Sequence, residues 1–281
     1  MLIITQIPAL RQYISDLKST KKTIGFVATM GALHNGHMAL LEASILQNDI
    51  TICSIFVNPT QFNRKSDLKN YPRDNKTDIS LLEQSNCDMV FMPSIESMYN
   101  ENFLLNFDFG YLEQIMEGKF RPGHFKGVGL IVTKLFNLIN PDKAYFGKKD
   151  LQQLALIKIL AQELFFDIKI CAVETVREEN GLAMSSRNKL LSEAERKDAV
   201  KLHRALVQAK EKLINGDSVT AVKHYIKSMF DPKNKITLEY FEIVDSIFLK
   251  DLDKIDGSCE VSICIAGYLG KVRLIDNISL N

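Results

Sequence analysis

Apolar runs alternate with amphipathic segments through the first two-thirds of the chain. The apolar runs are nearly continuous, which is typical of parallel strands buried on both faces. They predict five strands, over Thr23–Thr29, Ile50–Val57, Asp88–Met92, Lys143–Phe146 and Ile168–Val176. Helical patterns lie around and between them, over Ala9–Leu17, Gly36–Gln47, Asn75–Gln84, Gly127–Ile139 and Leu151–Phe165. This alternation predicts a doubly wound parallel sheet over residues 1–176.

The pattern changes after the polar, turn-prone segment Glu178–Gly181. Ser192 and Glu195 have the spacing of a capping box, and the helix that they open should end near Gly216. A second helix and three strands follow, over Val219–Met229, Ile236–Val244, Glu260–Ala266 and Lys271–Ile275, with a hairpin turn at Gly267–Gly270. We therefore predict an α/β protein with a Rossmann-like doubly wound sheet over residues 1–176 and a smaller α+β domain over residues 177–281.

Composition narrows the class of protein. The chain has 281 residues, 46% of them hydrophobic, and a formal net charge of +1, so we expect no nucleic-acid partner. Five cysteines are scattered through largely apolar segments of the sequence, which is typical of reduced thiols in a reducing compartment. We find neither a signal-peptide pattern at the N-terminus nor a run of membrane-spanning length, and we expect a cytoplasmic protein without a membrane partner.

The most informative motif follows the first predicted strand. His34 and His37 lie at a strand-to-helix turn, where helix N–H groups and the positive end of the helix dipole favour a phosphate. Imidazolium groups there would add donors and charge. The turn as a whole predicts a nucleotide site, made of Met30, Gly31, Ala32, Leu33, His34, Asn35, Gly36 and His37. An ordinary turn-and-cap feature is the alternative. A zinc site is disfavoured, because only His124, His203 and His224 remain as further imidazole ligands.

Other polar clusters follow the carboxyl ends of the remaining strands, where open α/β sheets bind their ligands. Asn58 and Gln61 offer amides for a small polar substrate, although the composition around them is also that of a turn. Segment 147–150 (Gly147, Lys148, Lys149, Asp150) offers an ammonium group for a phosphate. The alternative is a solvated turn in which Asp150 caps the following helix. Segment 184–187 (Met184, Ser185, Ser186, Arg187) offers hydroxyls and a guanidinium that can bind phosphate oxygens as a clamp. The alternative is a loop without a binding function.

Several common nucleotide and hydrolase signatures are absent. The Gly-rich, basic segment 121–129 lacks the lysine of a Walker loop, because His124 stands in its place. No Gly-x-Gly-x-x-Gly follows the first strand, and neither the kinase signatures nor a Gly-x-Ser-x-Gly elbow occurs. The sequence therefore does not favour a dinucleotide dehydrogenase, a protein kinase or a serine hydrolase.

Taken together, the motifs resemble the pantoate–β-alanine ligases (pantothenate synthetases), a family of the nucleotidyltransferase superfamily. The stretches that carry the resemblance are Thr29–His37, Phe56–Phe62, Arg121–Val128, Lys134–Asn137, Tyr145–Gln153 and Met184–Asn188. The C-terminal domain resembles the family only in length and pattern. The resemblance implies a two-step reaction, in which ATP and pantoate give pantoyl adenylate and pyrophosphate, and β-alanine then releases pantothenate and AMP.

The resemblance also implies roles for individual residues. His34 and His37 would contact the ATP phosphates, with His37 as the principal catalytic residue, and Lys149 would neutralise phosphate charge. Ser185, Ser186 and Arg187 would close over the phosphates as a flap, with the C-terminal domain closing over the active site. The remaining assignments are Gln61, Gln153, Asn58 and Arg121 to pantoate and β-alanine, Val176 to adenine through its backbone, and Gly147, Lys148, Asp150 and Met184 to ATP.

Magnesium would accompany ATP, with no protein ligand assigned, and a homodimer is expected from the resemblance. Lys148 departs from the residue that we expect before Lys149, which leaves open which lysine approaches the phosphate. Two alternatives remain: another adenylyltransferase of the same superfamily, and a non-catalytic nucleotide-binding module.

Overall fold

The computed structural model describes residues 1–99, 104–230 and 235–280. Residues 100–103, 231–234 and 281, which fall within the two predicted domains, lie outside the described part. The chain divides into two compact units. The first comprises Met1–Gly147 and Leu156–Glu174, and the second comprises Lys148–Ala155 and Thr175–Asn281.

The first unit is built on a six-stranded sheet whose strand pairs are all parallel. Its strands are β1 (Leu2–Ile4), β2 (Ile24–Thr29), β3 (Ile50–Ile55), β4 (Met89–Phe91), β5 (Lys143–Gly147) and β6 (Lys169–Val173). Their order across the sheet is β1-β4-β3-β2-β5-β6. The order reverses between β2 and β5, and in a doubly wound sheet this switch point opens a crevice beyond the strand ends.

Helices connect and cover the strands of the first unit. They are α1 (Ile7–Ser19), α2 (Asn35–Ile45), α3 (Lys65–Asn70), α4 (Asn75–Gln84), α5 (Ile95–Met98), α6 (Met116–Phe120) and α7 (His124–Ile139). Helix α8 (Leu151–Glu163) begins in the second unit and continues into the first after Ala155.

Apolar side chains cover both faces of the sheet in the first unit. On one face, Leu41 of α2 and Leu82 of α4 pack with Val27 and Val90 in a buried cluster. The ring of Phe136 in α7 packs edge-on against Phe26 of β2, with centroids 6.5 Å apart. Burial on two faces explains why these strands are apolar without alternation. The predicted α/β doubly wound class is confirmed.

Besides the start of α8, the described part of the second unit contains two further helices and an antiparallel sheet. They are α9 (Glu193–Ile214), α10 (Val219–Met229), β7 (Ile236–Asp245), β8 (Val261–Leu269) and β9 (Val272–Ser279), with sheet order β7-β8-β9. The predicted capping box of α9 is confirmed, because Ser192 and Glu195 each accept the other's backbone N–H, at 3.3 Å to Ser192 Oγ and 2.8 Å to Glu195 Oε2. One side of the sheet and the apolar helix faces form a single core, which includes Leu206, Val222 and Phe241.

Three predictions of detail were wrong. The sheet has six strands rather than five, because Leu2–Ile4 adds a short strand beside β4. The last strand of the sheet ends at Val173 rather than Val176. The predicted hairpin between the last two strands is confirmed, but its turn is Gly270 and Lys271, because Gly267 and the two residues after it belong to β8.

Candidate active site

The carboxyl ends of β2, β3 and β5 lie at adjacent positions of the sheet in the first unit. The His34–His37 turn follows β2, and the turn that carries Asn58 and Gln61 follows β3. Gly147 is the last residue of β5. The sheet therefore brings these predicted site residues to one edge, next to its switch point.

A buried carboxylate holds the turn that follows β2. Asp78 of α4 is 1% exposed. Its Oδ2 accepts the N–H of Ala32 at 2.8 Å, and its Oδ1 accepts the N–H of Leu33 at 2.7 Å. Gly31 and Ala32 both have positive φ, 79° and 51°, so the chain bends here in a conformation that the carboxylate must stabilise. Asp78 therefore fixes the entry to the histidine turn.

The sequence patterns did not identify Asp78 as a site residue. The available signal was its position four residues before Leu82, on the buried face of the predicted helix. A charged residue on an apolar face indicates a buried polar partner.

His34 and His37 cap the N-terminus of α2 through their own rings. His34 Nδ1 accepts the N–H of Gly36 at 3.1 Å, and His37 Nδ1 accepts the N–H of His34 at 3.3 Å. The ring centroids are 4.1 Å apart. Because each Nδ1 is an acceptor, the proton of each neutral ring lies on Nε2. Both histidines are thereby prepared as Nε2–H donors at a helix N-terminus.

This geometry revises the expected charge of the pair. An imidazolium carries a proton on both ring nitrogens, and a proton on Nδ1 would break the backbone hydrogen bond that each ring accepts. Two adjacent cations would also repel each other at this ring separation. The structure therefore favours neutral donors over the imidazolium groups of the sequence interpretation.

Asn58 orients Gln61 in the turn after β3. The Asn58 Nδ2 donates to Gln61 Oε1 and to the carbonyl of Gly127, both at 3.1 Å. Its Oδ1 accepts the hydroxyl of Tyr99 at 2.6 Å. Asn58 is 1% exposed, so its amide is committed to the protein. The Nε2 of Gln61 contacts Met30 Sδ, a weak acceptor, at 3.0 Å. Of the two predicted amides, Gln61 is thus the one suited to a ligand, and Asn58 positions it.

Arg121 is tied to the same turn through His124. The His124 Nδ1 lies 2.8 Å from the carbonyl O of Gln61, and its Nε2 lies 3.0 Å from Arg121 Nη1. A carbonyl only accepts and a guanidinium only donates, so the neutral ring carries its proton on Nδ1. Glu117 Oε2 also lies 3.7 Å from Arg121 Nη1. These contacts hold the predicted substrate-binding arginine in place.

The lysine segment belongs to the second unit. Lys148–Asp150 forms a single 3-10 turn before α8, and Gln153, also predicted to bind substrate, is partly exposed in the first turn of that helix. The Lys149 ammonium lies 3.8 Å from the Asp150 carboxylate, and its side chain is 17% exposed. The carbonyls of both Lys148 and Lys149 accept hydrogen bonds from the Asn277 amide in β9, at 3.0 and 2.8 Å.

The serine–arginine segment also belongs to the second unit. Val176, which lies beyond the end of β6, accepts the N–H of Met184 through its carbonyl at 3.0 Å. Residues 176–184 thereby form a narrow antiparallel loop that leads into Ser185. Ser185 Oγ accepts the N–H of Arg187 at 3.2 Å, and Ser186 is buried. The loop is thus an ordered structure that ends at the predicted phosphate clamp.

Metal ligands and membrane helices can be assessed for the described residues. Within those residues, no three His, Cys, Asp or Glu side chains are grouped as a metal ion needs. The helices of the described ranges include none long and apolar enough to cross a membrane.

Comparison with known proteins identifies the family. The family model for pantoate–β-alanine ligase matches residues 2–279. The chain is 46% identical to a pantothenate synthetase of Caldicellulosiruptor bescii, over 99% of this chain and 98% of that protein. It is 44% identical to a pantothenate synthetase of Fervidobacterium nodosum, over the full length of both.

Solved structures give the same result. A pantothenate synthetase of Thermus thermophilus superposes with a TM-score of 0.93 and 37% identity, covering 100% of this chain and 99% of that one. A pantoate–β-alanine ligase of Francisella tularensis, in complex with β,γ-ATP and β-alanine, has a TM-score of 0.82 and 35% identity, covering 100% and 98%. The resemblance found in the motifs is confirmed across the whole chain: it belongs to the pantoate–β-alanine ligase family, and is an enzyme of the ligase class.

Proposed function

We propose that the chain joins (R)-pantoate to β-alanine through pantoyl adenylate, with ATP as co-substrate and AMP and pyrophosphate as products. The observation that carries the proposal is the pair of Nε2–H donors of His34 and His37 at the N-terminus of α2. This pair lies at the switch point of a doubly wound sheet, where a nucleotide phosphate is expected.

The first step needs no side-chain nucleophile. A carboxylate oxygen of pantoate attacks the α-phosphorus of ATP, the bond to the β-phosphate oxygen breaks, and pyrophosphate leaves. Catalysis then consists of in-line positioning and stabilisation of charge on the phosphoryl oxygens. Neutral imidazole donors held by backbone hydrogen bonds need no reorganisation as that charge develops. We assign this role to His34 and, principally, to His37.

Other residues take supporting roles in the same proposal. Lys149 neutralises charge on the departing pyrophosphate, and Ser185, Ser186 and Arg187 close over the phosphates. We assign segments 30–37 and 147–150 and Met184 to ATP, and the backbone of Val176 to its adenine. Gln61, Gln153 and Arg121 bind pantoate and β-alanine, and Asn58 orients Gln61.

The second step consumes the adenylate. The β-alanine amine attacks the acyl carbon, the bond between that carbon and the AMP oxygen breaks, and the proton that the amine loses passes to solvent water. Water would hydrolyse the adenylate, so exclusion of water is required until the amine arrives. We assign the protection to segment 184–187, and the second unit is expected to close when both substrates are present.

Magnesium belongs with the substrate in this proposal. The described acidic and imidazole side chains form no metal cage. In proteins Mg²⁺ usually keeps several waters and binds substrate phosphates, so it would enter with the triphosphate and, when bound, neutralise charge on the phosphate oxygens. The chain's own part is to hold the nucleotide.

Compartment and assembly are part of the proposal. The described cysteines form no disulfide. Reduced thiols are typical of a reducing compartment, and we propose that the reaction takes place in the cytoplasm. We propose a homodimer on the resemblance alone, and light scattering at twice the mass of the chain would test it.

Neither alternative from the sequence is favoured. An enzyme that adenylylates a phosphorylated acceptor needs cations where this chain has the amides of Asn58 and Gln61. A non-catalytic nucleotide-binding module would not need a pair of fixed phosphate donors beside such amides.

A product assay tests the proposed function. Purified protein is given ATP, magnesium and pantoate, with and without β-alanine, and pyrophosphate, AMP and pantothenate are measured. We expect equal amounts of AMP and pantothenate only when all substrates are present. Absence of pantoate-dependent turnover would refute the assignment, and turnover of pantoate with a different amine would correct the acceptor.

A further inference from the structure

Strand β9 of the second unit holds the two segments that we assign to the ATP phosphates. Asn277 is the point of contact with the lysine turn. Its Nδ2 donates to the carbonyls of Lys148 and Lys149, 129 and 128 residues earlier in the chain, at 3.0 and 2.8 Å. One amide group thus fixes two consecutive peptide units, and these set the direction in which the Lys149 side chain leaves the turn.

The neighbouring residue holds the base of the other segment. Asp276 is 5% exposed and forms a bidentate pair with Arg177, at 2.7 Å from Nη1 to Oδ2 and 3.0 Å from Nη2 to Oδ1. Arg177 Nη1 also donates to the carbonyl of Gly181 at 3.1 Å. A paired, buried carboxylate of this kind is rigid, because two parallel bonds fix both partners. It anchors the narrow loop that leads into Ser185.

The two contacts are joined through the backbone of β9. Arg177 Nη2 donates to the carbonyl of Asn277 at 3.1 Å, and the Asn277 N–H donates to Asp276 Oδ1 at 2.8 Å. The lysine turn, β9 and the serine–arginine loop are therefore one hydrogen-bonded assembly within the second unit. Neither segment can move independently without breaking these bonds.

We propose that Asn277 is a positioning residue for adenylation: it sets the Lys148–Lys149 turn in register with the loop of Ser185–Arg187. This inference rests on the proposed function, since it assumes that both segments meet the ATP phosphates. Asn277 acts through Lys149 and does not itself touch the substrate. Its effect belongs to the first half-reaction, because pyrophosphate has left before β-alanine attacks.

The test compares Asn277→Ala and Asn277→Asp with Ser279→Ala, an exposed position two residues along the same strand. The aspartate keeps the shape of the side chain but cannot donate, so it also separates lost donation from lost packing. We expect both Asn277 variants to lower pantoate-dependent pyrophosphate release by about 10- to 100-fold, the range for a misplaced catalytic group. The KM for β-alanine should stay within twofold of wild type, and Ser279→Ala should match wild type.

A double variant separates positioning from general stability. If Asn277 acts through Lys149, Asn277→Ala should cost no further rate, within about twofold, once Lys149→Ala is present. The positioning role would be overturned if the rate losses of the two single variants multiplied in the double variant. It would also be overturned if the Asn277 variants were as active as wild type. Wild-type protein without pantoate-dependent pyrophosphate release would instead overturn the proposed function, and the two failures are distinct. A thermal unfolding scan of each variant confirms that the rates are measured on folded protein.

Discussion

His34 and His37 fix each other at the start of α2: His37 Nδ1 accepts the backbone N–H of His34, and their rings lie 4.1 Å apart. The cap and the candidate catalytic pair are the same two side chains: each ring caps the helix through Nδ1 and presents Nε2–H. A helix cap normally stabilises structure alone, whereas here it also selects the tautomer that presents Nε2–H. Local folding and the proposed chemistry therefore depend on one hydrogen-bond pattern.

The first prediction concerns His37→Ala. We expect pantoate-dependent pyrophosphate release to fall by about 100- to 1000-fold, the cost of removing one preorganised donor to a transition-state oxyanion. Loss of the one capping hydrogen bond that His37 accepts should lower the free energy of unfolding by only about 1 kcal/mol. Single-turnover kinetics and urea unfolding measure the two effects separately.

The control for this experiment is His224→Ala, which removes an exposed imidazole from α10. It should leave both the rate and the free energy of unfolding unchanged. If His37→Ala kept a rate within about twofold of wild type, the role assigned to the histidine pair would be wrong.

The second prediction concerns Asp78→Asn. The amide places an NH₂ group against the N–H of Ala32 or Leu33, so one buried donor loses its acceptor. We expect the free energy of unfolding to fall by about 1–3 kcal/mol. The rate of adenylation should fall as well, because the histidine turn loses its anchor. Glu83→Gln, an exposed substitution on the same helix, is the matched control and should change neither quantity. Unchanged unfolding of Asp78→Asn would contradict the anchoring role.

The third prediction contrasts two glycines. A Cβ at Gly147 would meet no atom within 4 Å, whereas a Cβ at Gly127 would lie 2.4 Å from the carbonyl O of Thr60. Gly127→Ala should therefore destabilise the fold by about 1–3 kcal/mol through overpacking. Gly147→Ala should leave the free energy of unfolding equal or slightly higher, yet raise the KM for ATP about tenfold if the nucleotide approaches this backbone. An unaltered KM for ATP would remove Gly147 from the proposed site.

The fourth prediction concerns alkaline pH. Burial raises the pKa of the Cys87 thiol from its ordinary value of 9.0 to about 12. The native state therefore keeps this proton while the unfolded chain loses it, and the resulting stabilisation is full below pH 9 and is lost as the pH rises towards 12. Above pH 9 each pH unit should cost about 1.4 kcal/mol per buried thiol. Urea unfolding at pH 8 and pH 10 measures the free energy of unfolding at each pH. Between the two pH values this free energy should fall less for Cys87→Ala than for wild type. Equal losses would mean that Cys87 does not contribute.

The main elements could be predicted because each has a local cause. Segment Ile50–Ile55 is buried along its whole length, and a largely apolar run of that length predicts such a strand. Ser192 and Glu195 indicate the start of α9 through a spacing that is local in the sequence. The His34–His37 turn was likewise predictable as a strand-to-helix junction.

The errors came from non-local contacts. The strand Leu2–Ile4 has only three residues, and it exists because β4 pairs with it 87 residues later, as in Leu2 with Met89. Val173, the last residue of β6, pairs with Gly147, the last residue of β5. Strand β6 therefore ends where its partner ends. Gly267 was taken as a turn glycine, but a Cβ there would lie 3.0 Å from the carbonyl O of Thr237, so this glycine serves close strand packing.

Within the candidate site, residue types were more predictable than residue roles. The sequence showed two histidines beside a helix start, whereas their tautomers depend on which backbone N–H each ring meets. Asp78 acts on residues 45 and 46 positions earlier in the chain, and Asn277 on residues more than 120 positions earlier. The partners in such long-range contacts leave no spacing signal in a single sequence, even where a residue such as Asp78 stands out on the buried face of its helix.

Transfer of oxygen-18 shows whether the pantoate carboxylate attacks the α-phosphorus of ATP. Pantoate labelled in its carboxylate is turned over with ATP and β-alanine, and the products are analysed by mass spectrometry. Because the oxygen that bridges acyl carbon and phosphorus stays with phosphorus, we expect one labelled oxygen in AMP and one in pantothenate. Label in inorganic phosphate or pyrophosphate, with none in AMP, would contradict this mechanism.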